Sequence, residues 1–223
     1  MHFLTILLDL IYPIKCPFCQ TIQNTPGICR SCEATLPWTG EASLRQLPNN
    51  LRCAAPLWYE GPVREAIHRY KFQSAAGAAI PLGRCIAQTA AERFSGEFDT
   101  ITWVPLSPKR LRRRGYDQAR LLAEEACRAW GVKPQRLLRK VRHTLPQSSL
   151  SSAADRIQNV RQAYLPAGPA AGRRVLLIDD VCTTGSTLTA CSNVLLAAGA
   201  SSVVCAAAAF AGKPEKSREK GKE

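Results

Sequence analysis

Short apolar runs and helical periods of apolar residues alternate along most of the chain. Four apolar runs predict buried strands: RCAAPLWYE at 52–60, TITWVP at 100–105, RVLLIDD at 174–180 and SSVVCAAAAF at 201–210. Because these runs are apolar throughout, they are typical of strands that are covered on both faces of a sheet.

Helical patterns fill the intervals between these strands. Four helices are predicted: one through Val63, Ala66, Ile67 and Tyr70, one from about Leu82 to Phe94, one at 116–130 ending at Gly131, and one at 186–199 ending at Gly199. Strands that alternate with helices predict an α/β fold with a parallel sheet flanked by helices. Ligands of such sheets bind at the carboxyl ends of the strands.

Composition divides the chain into three regions. Residues 1–50 hold paired cysteines and several prolines, residues 51–211 carry the alternating pattern, and residues 212–223 are charged without an apolar anchor. We therefore expect a small N-terminal unit, a larger α/β domain and a disordered tail.

The first segment, MHFLTILLDLIYPIK, predicts a short amphipathic helix that packs on the body of the protein. Its start is not basic, it has no small-residue cleavage site, and Asp9 interrupts the apolar run, all of which argue against a secretory signal. It is also too short to span a membrane. We expect a cytoplasmic protein without a transmembrane segment.

The chain is strongly basic, with a formal net charge of +13 at pH 7 over 223 residues. Such a charge favours a polyanionic partner: nucleic acid, anionic lipid or a phosphorylated small molecule. A basic protein with no such partner is the alternative.

Four of the ten cysteines form two CxxC pairs, Cys16 with Cys19 and Cys29 with Cys32. Two such pairs supply four thiolates to one tetrahedral ion, and zinc accepts four sulfur ligands without redox chemistry. The pattern predicts a structural zinc ribbon, which would either contact nucleic acid or dock onto the main domain. A redox CxxC pair and two chance pairs are the alternatives.

Two carboxylates, Asp179 and Asp180, end the third predicted strand, and a loop of small residues follows them. The loop consists of Thr183, Thr184, Gly185, Ser186 and Thr187. Backbone N–H groups and hydroxyls at the start of a helix can hold a phosphate. The carboxylates could hold a metal or accept hydrogen bonds from sugar hydroxyls. The alternative for the loop, a turn whose Ser and Thr cap the helix, leaves the two carboxylates unexplained.

The segment VLLIDDVCTTGST resembles the phosphoribosyl-pyrophosphate (PRPP) binding motif of type I phosphoribosyltransferases. With the four-cysteine ribbon, YKFQ, VPLSPKRLRRRGYDQARLLA and LPQSSLSSAADRIQNVRQAY, the chain is similar to the ComF family. That resemblance implies a zinc ribbon before a type I phosphoribosyltransferase-like parallel sheet. It also implies that Asp179 and Asp180 accept bonds from the ribose hydroxyls and that Thr183 to Thr187 hold the 5-phosphate.

A basic segment follows the second predicted strand and is interpreted as a loop. It contains Lys109, Arg110, Arg112, Arg113 and Arg114. The resemblance implies that this segment, with the backbone of Val104, Pro105 and Leu106, faces the pyrophosphate of PRPP, which binds with Mg²⁺. The alternatives are single-stranded DNA with Tyr116 as a stacking platform and a solvated surface run. Arg156, Asn159 and Arg161 would form a hood over the cleft or a polar helix face.

Two functions from different classes follow from the resemblance. One is a phosphoribosyltransferase that acts with PRPP and Mg²⁺ on an unidentified base, with no catalytic residue assigned. The other is a non-catalytic, single-strand-binding protein of natural transformation that keeps the fold as a scaffold or PRPP sensor. Family members act in DNA uptake, which implies partners in the uptake machinery such as a helicase. Thr183 stands where purine-salvage enzymes carry an acid, which argues against a purine acceptor.

Overall fold

The computed structural model describes residues 13–73, 75–141 and 163–212. The described strands are β1 (Leu44–Gln46), β2 (Arg52–Ala54), β3 (Leu57–Trp58), β4 (Thr100–Trp103), β5 (Leu138–Lys140), β6 (Tyr164–Pro166), β7 (Arg174–Cys182) and β8 (Ser202–Phe210). The described α-helices are α1 (Arg30–Thr35), α2 (Gly61–Phe72), α3 (Ala79–Arg93), α4 (Pro108–Arg114), α5 (Gln118–Ala129) and α6 (Ser186–Ala197).

The main sheet has the strand order β1-β2-β8-β7-β4, with β3 also paired to β8. All pairs are parallel except β1 with β2, which is antiparallel. Helices follow β3, β4 and β7, so the predicted α/β fold with a mostly parallel sheet is confirmed.

Several local features differ from the sequence prediction. Strand β7 continues two residues past the acid pair, to Cys182, and β1 was not predicted. The expected strand at 52–60 is divided into β2 and β3 around Pro56, whose nitrogen cannot donate to a sheet ladder. The basic segment is the helix α4 and not a loop. Strands β5 and β6, which were not predicted, form a separate antiparallel pair.

Helix α4 has ordinary helix start and stop signals, although its many arginines led to the prediction of a loop. Ser107 caps its N-terminus by accepting from Arg110 N, and Pro108 stands at its first position. Gly115 ends it in the left-handed region at φ +79°.

The two faces of the sheet carry separate hydrophobic cores. Along β7, Leu176 and Ile178 pack into the core under α2, α3 and α5, whereas Val175 and Leu177 pack into the core with α6, β5 and β6. Side chains of a strand alternate between faces. Asp179 therefore continues the α6 face, and Asp180 continues the α2 face.

The cysteine ribbon is docked on α2. Phe18 and Leu36 are buried in the core on the α2 face. Arg69 of α2 donates from Nη2 to the carbonyl oxygens of Pro17 at 2.8 Å and Phe18 at 3.0 Å. The ribbon thus fixes the helix about one turn before its end.

Several predictions concern residues outside the described ranges. These are the N-terminal amphipathic helix, the tail from residue 213 onward, and Arg156, Asn159 and Arg161. The division at residues 50 and 211 stays a prediction. Within residues 13–73, 75–141 and 163–212, no helix has the length and apolar character needed to cross a lipid bilayer.

Candidate functional site

The four paired cysteines converge on one point. The Sγ atoms of Cys16, Cys19, Cys29 and Cys32 all lie within 4.8 Å of one another, and those of Cys19 and Cys29 are 3.5 Å apart. A tetrahedral zinc ion with Zn–S bonds of about 2.3 Å requires sulfur atoms about 3.8 Å apart. The observed cluster fits that requirement.

Local backbone structure presents these sulfurs. In the first pair, Gln20 N donates to Cys16 O at 3.0 Å and closes a tight turn. In the second, Cys29 caps α1 and its Sγ accepts from Cys32 N at 3.5 Å. Both are knuckle-like turns that place two thiols on one side of the chain.

The chemistry of the thiols also suits a cation. A contact of 3.2 Å with Thr21 Oγ1 lowers the pKa of the Cys19 thiol to about 6, which favours the thiolate that binds metal. Burial and the neighbouring thiols raise the pKa of Cys32, an effect that a bound cation reverses.

A second candidate site lies at the carboxyl ends of β4 and β7, which are adjacent parallel strands. Val104 N donates to Ile178 O at 2.9 Å just beyond the last paired residues. The segment after β4, which leads into α4, and the acid pair of β7 therefore lie side by side. The structure brings together the two segments that the sequence placed in one cleft.

Asp180 is bound to a residue that the sequence analysis did not assign to the site. Lys71 Nζ, near the C-terminus of α2, lies 2.6 Å from Asp180 Oδ1. The two side chains are 19% and 16% exposed. Burial acts to lower the pKa of Lys71, but the charge of Asp180 outweighs burial and the pKa is raised. The available signal was YKFQ, a lysine set between aromatic residues at a helix end.

Asp179 has a different environment on the α6 face. Its Oδ1 accepts from Asp180 N at 2.8 Å. Burial, and then the neighbouring charge of Asp180, raise the pKa of the Asp179 carboxyl well above its usual range. On the same face Lys140 Nζ donates to Tyr164 Oη at 2.9 Å. Burial, and then the charge of Arg110, lower the pKa of Lys140, and the charge of Asp179 only partly offsets this. Lys140 therefore lies within electrostatic reach of both Arg110 and Asp179.

The loop after the acid pair opens toward solvent. Thr183, Thr184 and Ser186 are exposed and Thr187 is half-buried. Together with Asp179 and Gly185 they line a small open cavity at the start of α6. The hydroxyls of Thr184 and Ser186 lie 2.8 Å apart, so both face the same space. Hydroxyls at the N-terminus of a helix are groups that can bind an anion.

Gly185 shapes this loop for two reasons. Its φ is +76°, a conformation that favours glycine. A Cβ at this position would lie 2.7 Å from Leu47 Cδ2 and 2.8 Å from Leu47 Cδ1. A residue of the N-terminal region therefore packs directly behind the loop.

The segment Val104–Leu106 is held by the protein's own groups. Val104 N donates to Ile178 O, Pro105 has no N–H, and Leu106 N donates to Asp117 Oδ2 at 3.0 Å. Asp117 also caps α5 by accepting from Arg120 N. Burial, with a contribution from Asp180, raises the pKa of Asp117. A ligand beside this segment would meet the side chains of α4 more readily than these backbone donors.

The arginines of α4 divide into two groups. Lys109, Arg112 and Arg113 are exposed and Arg110 is half-buried. Arg114 faces the body of the protein: its Nη1 donates to Gln118 Oε1 at 2.8 Å, and its guanidinium lies over the Phe72 ring, 4.9 Å from the centroid. Burial, and then Arg110 and Arg113, lower its pKa. The side chains of the exposed group are accessible from solvent, whereas Arg114 links α4 to α2.

Tyr116 is also engaged within the protein. Its hydroxyl donates to Tyr70 O, and the two rings are 5.6 Å apart. Tyr70 in turn donates from its hydroxyl to Gln118 O at 2.8 Å. These contacts fix the end of α4 against the C-terminal turn of α2, and they leave the Tyr116 ring half-buried.

Comparison with known proteins assigns the chain to a family. Models of a double zinc ribbon domain and a phosphoribosyl transferase domain match residues 7–62 and 119–222. The chain is 33% identical to Competence protein F of Haemophilus influenzae over 81% of this chain and 83% of that protein. The chain belongs to the ComF family. It is also 30% identical to DNA utilization protein YhgH of Salmonella typhi, over 84% and 80% of the two chains, and 27% identical to Competence protein ComFC of Bacillus subtilis, over 82% and 72%.

These matches confirm the predicted family and its two parts, a four-cysteine ribbon and a phosphoribosyltransferase-like sheet. Partial likenesses to solved structures include phosphoribosylpyrophosphate synthetase of Mycobacterium smegmatis, with 19% identity and a TM-score of 0.38. Another is the PRPP amidotransferase of B. subtilis, with 26% identity and a TM-score of 0.40. This chain spans 33% and 26% of their lengths, respectively, and 59% of its own length is matched in each.

Proposed function

We propose that this ComF-family protein binds PRPP at the carboxyl ends of β4 and β7 and acts in the uptake or use of DNA. The observation that carries the PRPP site is the succession of Asp179, Asp180 and the open hydroxyl loop beside α4. The names of the relatives, competence and DNA utilization proteins, support the DNA role.

Each part of the cleft suits a different part of PRPP. The loop from Thr183 to Thr187 offers backbone and hydroxyl donors to the 5-phosphate. The carboxylates of Asp179 and Asp180 accept from the ribose hydroxyls. Arg110 and its exposed neighbours on α4 neutralise the pyrophosphate, which arginine binds in a bidentate manner.

A divalent cation fits the donor set, since carboxylate oxygens beside a pyrophosphate are the ligands that Mg²⁺ prefers. When bound with PRPP, Mg²⁺ would supply further neutralisation of the leaving group. The ion pair with Lys71 keeps the Asp180 side chain in place in the free protein.

Phosphoribosyl transfer is the reaction that this site would support. A nitrogen of the acceptor would form a bond to C1 of the ribose, and the bond from C1 to pyrophosphate would break. Positioning of the two reactants and stabilisation of the departing charge would supply most of the rate enhancement. Thr183 in place of a carboxylate favours an acceptor other than a purine.

The transferase activity is tested by pyrophosphate release. The full-length protein is incubated with PRPP, Mg²⁺ and a panel of nucleobases, with the Asp179→Asn variant as the control. Release that depends on one base and is lost in the variant supports transfer. PRPP binding without release on any base supports the sensor role instead.

A second candidate function, single-strand binding, is favoured by the exposure of Lys109, Arg112 and Arg113 on one short helix. Phosphate contacts make affinity fall as salt rises, with a slope of about 0.7 per contact for single strands. Fluorescence anisotropy with labelled oligothymidine at several salt concentrations tests it. Arg112→Ala and Arg113→Ala should each reduce the slope by about 0.7; unchanged slopes would contradict the proposal. Arg114 is a poor choice for this experiment because it supports Phe72 and Gln118.

The DNA role is tested in cells of the organism that carries the gene. Deletion should lower the recovery of transformants from added DNA, and the wild-type gene should restore it. Restoration by the Asp179→Asn gene as well would show that the role does not need PRPP.

A further inference from the structure

One large aromatic residue stands exposed at the junction between the acid pair and α4. Phe72 is the last residue of α2 and is 54% exposed. Its neighbour Lys71 is bound to Asp180, and Tyr70 accepts from Tyr116. Phe72 therefore lies beside the candidate cleft and next to the arginine-bearing helix.

The surroundings of Phe72 orient its ring. The Arg114 guanidinium lies 4.9 Å from the ring centroid, which is within the range of cation–π attraction. The His68 ring packs 4.8 Å away at a tilt of 44°. More than half of the residue nevertheless remains open to solvent. Arg114 and His68 thus fix the ring, while most of the side chain remains accessible to a ligand.

A single exposed apolar residue is common on protein surfaces, so the exposure of Phe72 does not by itself indicate a function. Its position, however, suits a specific one. Proteins that bind single strands combine a basic surface for the phosphates with aromatic rings on which bases stack. The exposed cations Lys109, Arg112 and Arg113 provide the first component, and Phe72 provides the second.

We propose that Phe72 is a stacking platform for a base of single-stranded nucleic acid whose backbone phosphates lie along α4. This inference rests on the second candidate function, single-strand binding. Phe72, and not Tyr116, is then the aromatic residue that contacts a base, because the Tyr116 ring packs against Tyr70. Arg114, bound between Phe72 and Gln118, holds the platform and the phosphate-binding helix in a fixed relation.

The test compares two strands with the same phosphates. Affinities of the full-length protein are measured by anisotropy for oligothymidine and for an abasic strand of equal length. Stacking on an aromatic ring contributes about 1–3 kcal/mol per base, so the wild-type protein should bind the thymidine strand at least about fivefold more tightly. Phe72→Ala should remove most of that preference and change affinity for the abasic strand less than about twofold.

Three further variants separate stacking from indirect effects. Phe72→Trp should keep the preference, and the fluorescence of the added indole should be quenched by the thymidine strand only. Leu111→Ala, an exposed apolar residue on α4 itself, is the matched control and should leave both affinities unchanged. Arg113→Ala should weaken both strands equally and reduce the salt slope, whereas Phe72→Ala should leave the slope unaltered.

The outcomes are distinct. Equal wild-type affinity for the two strands would overturn the stacking platform while leaving single-strand binding intact. A fall in the salt slope with Phe72→Ala would also overturn it, because the ring would then act only by placing Arg114. If neither strand binds, single-strand binding fails and the platform fails with it.

Discussion

Lys71 Nζ lies 2.6 Å from Asp180 Oδ1 and connects the end of α2 to the acid pair at the end of β7. The ribbon contacts the same helix at Arg69, and Tyr70 and Phe72 contact Tyr116 and Arg114. The C-terminal turn of α2 is therefore shared by the ribbon, the acid pair and the arginine helix.

Removal of the lysine should destabilise the protein. Lys71→Met leaves the Asp180 carboxylate largely buried without its ion pair, and we expect a loss of about 1–3 kcal/mol in the free energy of unfolding. Urea denaturation measures it. Arg120→Met breaks the more exposed pair with Glu124 and serves as the control, with an expected loss of about 0.5 kcal/mol. Equal losses in the two variants would contradict a special role for the Lys71 contact.

Ionisation of the Asp179 carboxyl group should lower the stability of the free protein as pH rises. Its pKa is raised in the folded state, so its favourable contribution is present below the pKa of the unfolded chain, about 3.9, and is lost as pH rises through the folded value. Asp179→Asn should therefore raise the Tm at pH 7 by about 2–4 °C, equivalent to about 1 kcal/mol at this length, and by less at pH 5.

Asp99→Asn is the control of opposite sign. Burial acts to raise the pKa of Asp99, but hydrogen bonds with Thr100 and Arg174 outweigh it and the pKa is lowered. That variant should lose stability at pH 7 and approach the wild type as pH falls through the folded pKa. Calorimetric scans between about pH 2.5 and pH 7.5 distinguish the two, because the lowered pKa of Asp99 lies below the usual carboxyl value. If Asp179→Asn lost stability at pH 7 as Asp99→Asn should, the pKa of Asp179 would not be raised in the free protein.

Gly185→Ala should damage the loop through both its conformation and its contact with Leu47. We expect a loss of about 1–3 kcal/mol in stability, since the left-handed conformation and overpacking each contribute. In the double variant Gly185→Ala/Leu47→Ala the steric part should be relieved and the conformational part should remain. Additive losses in the double variant would show that the two residues do not touch.

The ribbon should bind one zinc ion per chain, measured by atomic emission after gel filtration. Cys29→Ser should abolish binding and cost at least about 2 kcal/mol in stability, since loss of a structural metal is among the severe changes. Cys85→Ser lies outside the cluster and should retain full zinc content. Metal retention by Cys29→Ser would contradict the four-sulfur site.

Structural features that depend only on short stretches of sequence were predictable. The spacing of Cys16, Cys19, Cys29 and Cys32 predicted the ribbon. The apolar run before Asp179 predicted a buried strand, which in the structure carries the acids near its carboxyl end and continues to Cys182. Both depend on neighbours along the chain, where geometry follows directly from spacing.

Features that depend on distant contacts were not predictable. No pattern pairs Lys71 with Asp180, or Leu47 with Gly185, because these contacts arise only when separate elements pack together. The helix α4 was missed for another reason: five cations in six positions suggested a phosphate-binding loop, although Ser107, Pro108 and Gly115 are good helix boundaries. Tyr116 appeared available in the sequence, yet its partner Tyr70 is brought to it by α2.

The most direct test of the central claim is titration calorimetry of PRPP in the presence of Mg²⁺. The wild-type protein should bind one PRPP per chain. Asp180→Asn should weaken binding by about 10- to 100-fold, the effect of a charge-assisted hydrogen bond, whereas Asp99→Asn, outside the cleft, should bind as the wild type does. Absence of binding by the wild-type protein, or equal affinity in the wild type and Asp180→Asn, would contradict a PRPP site at the end of β7.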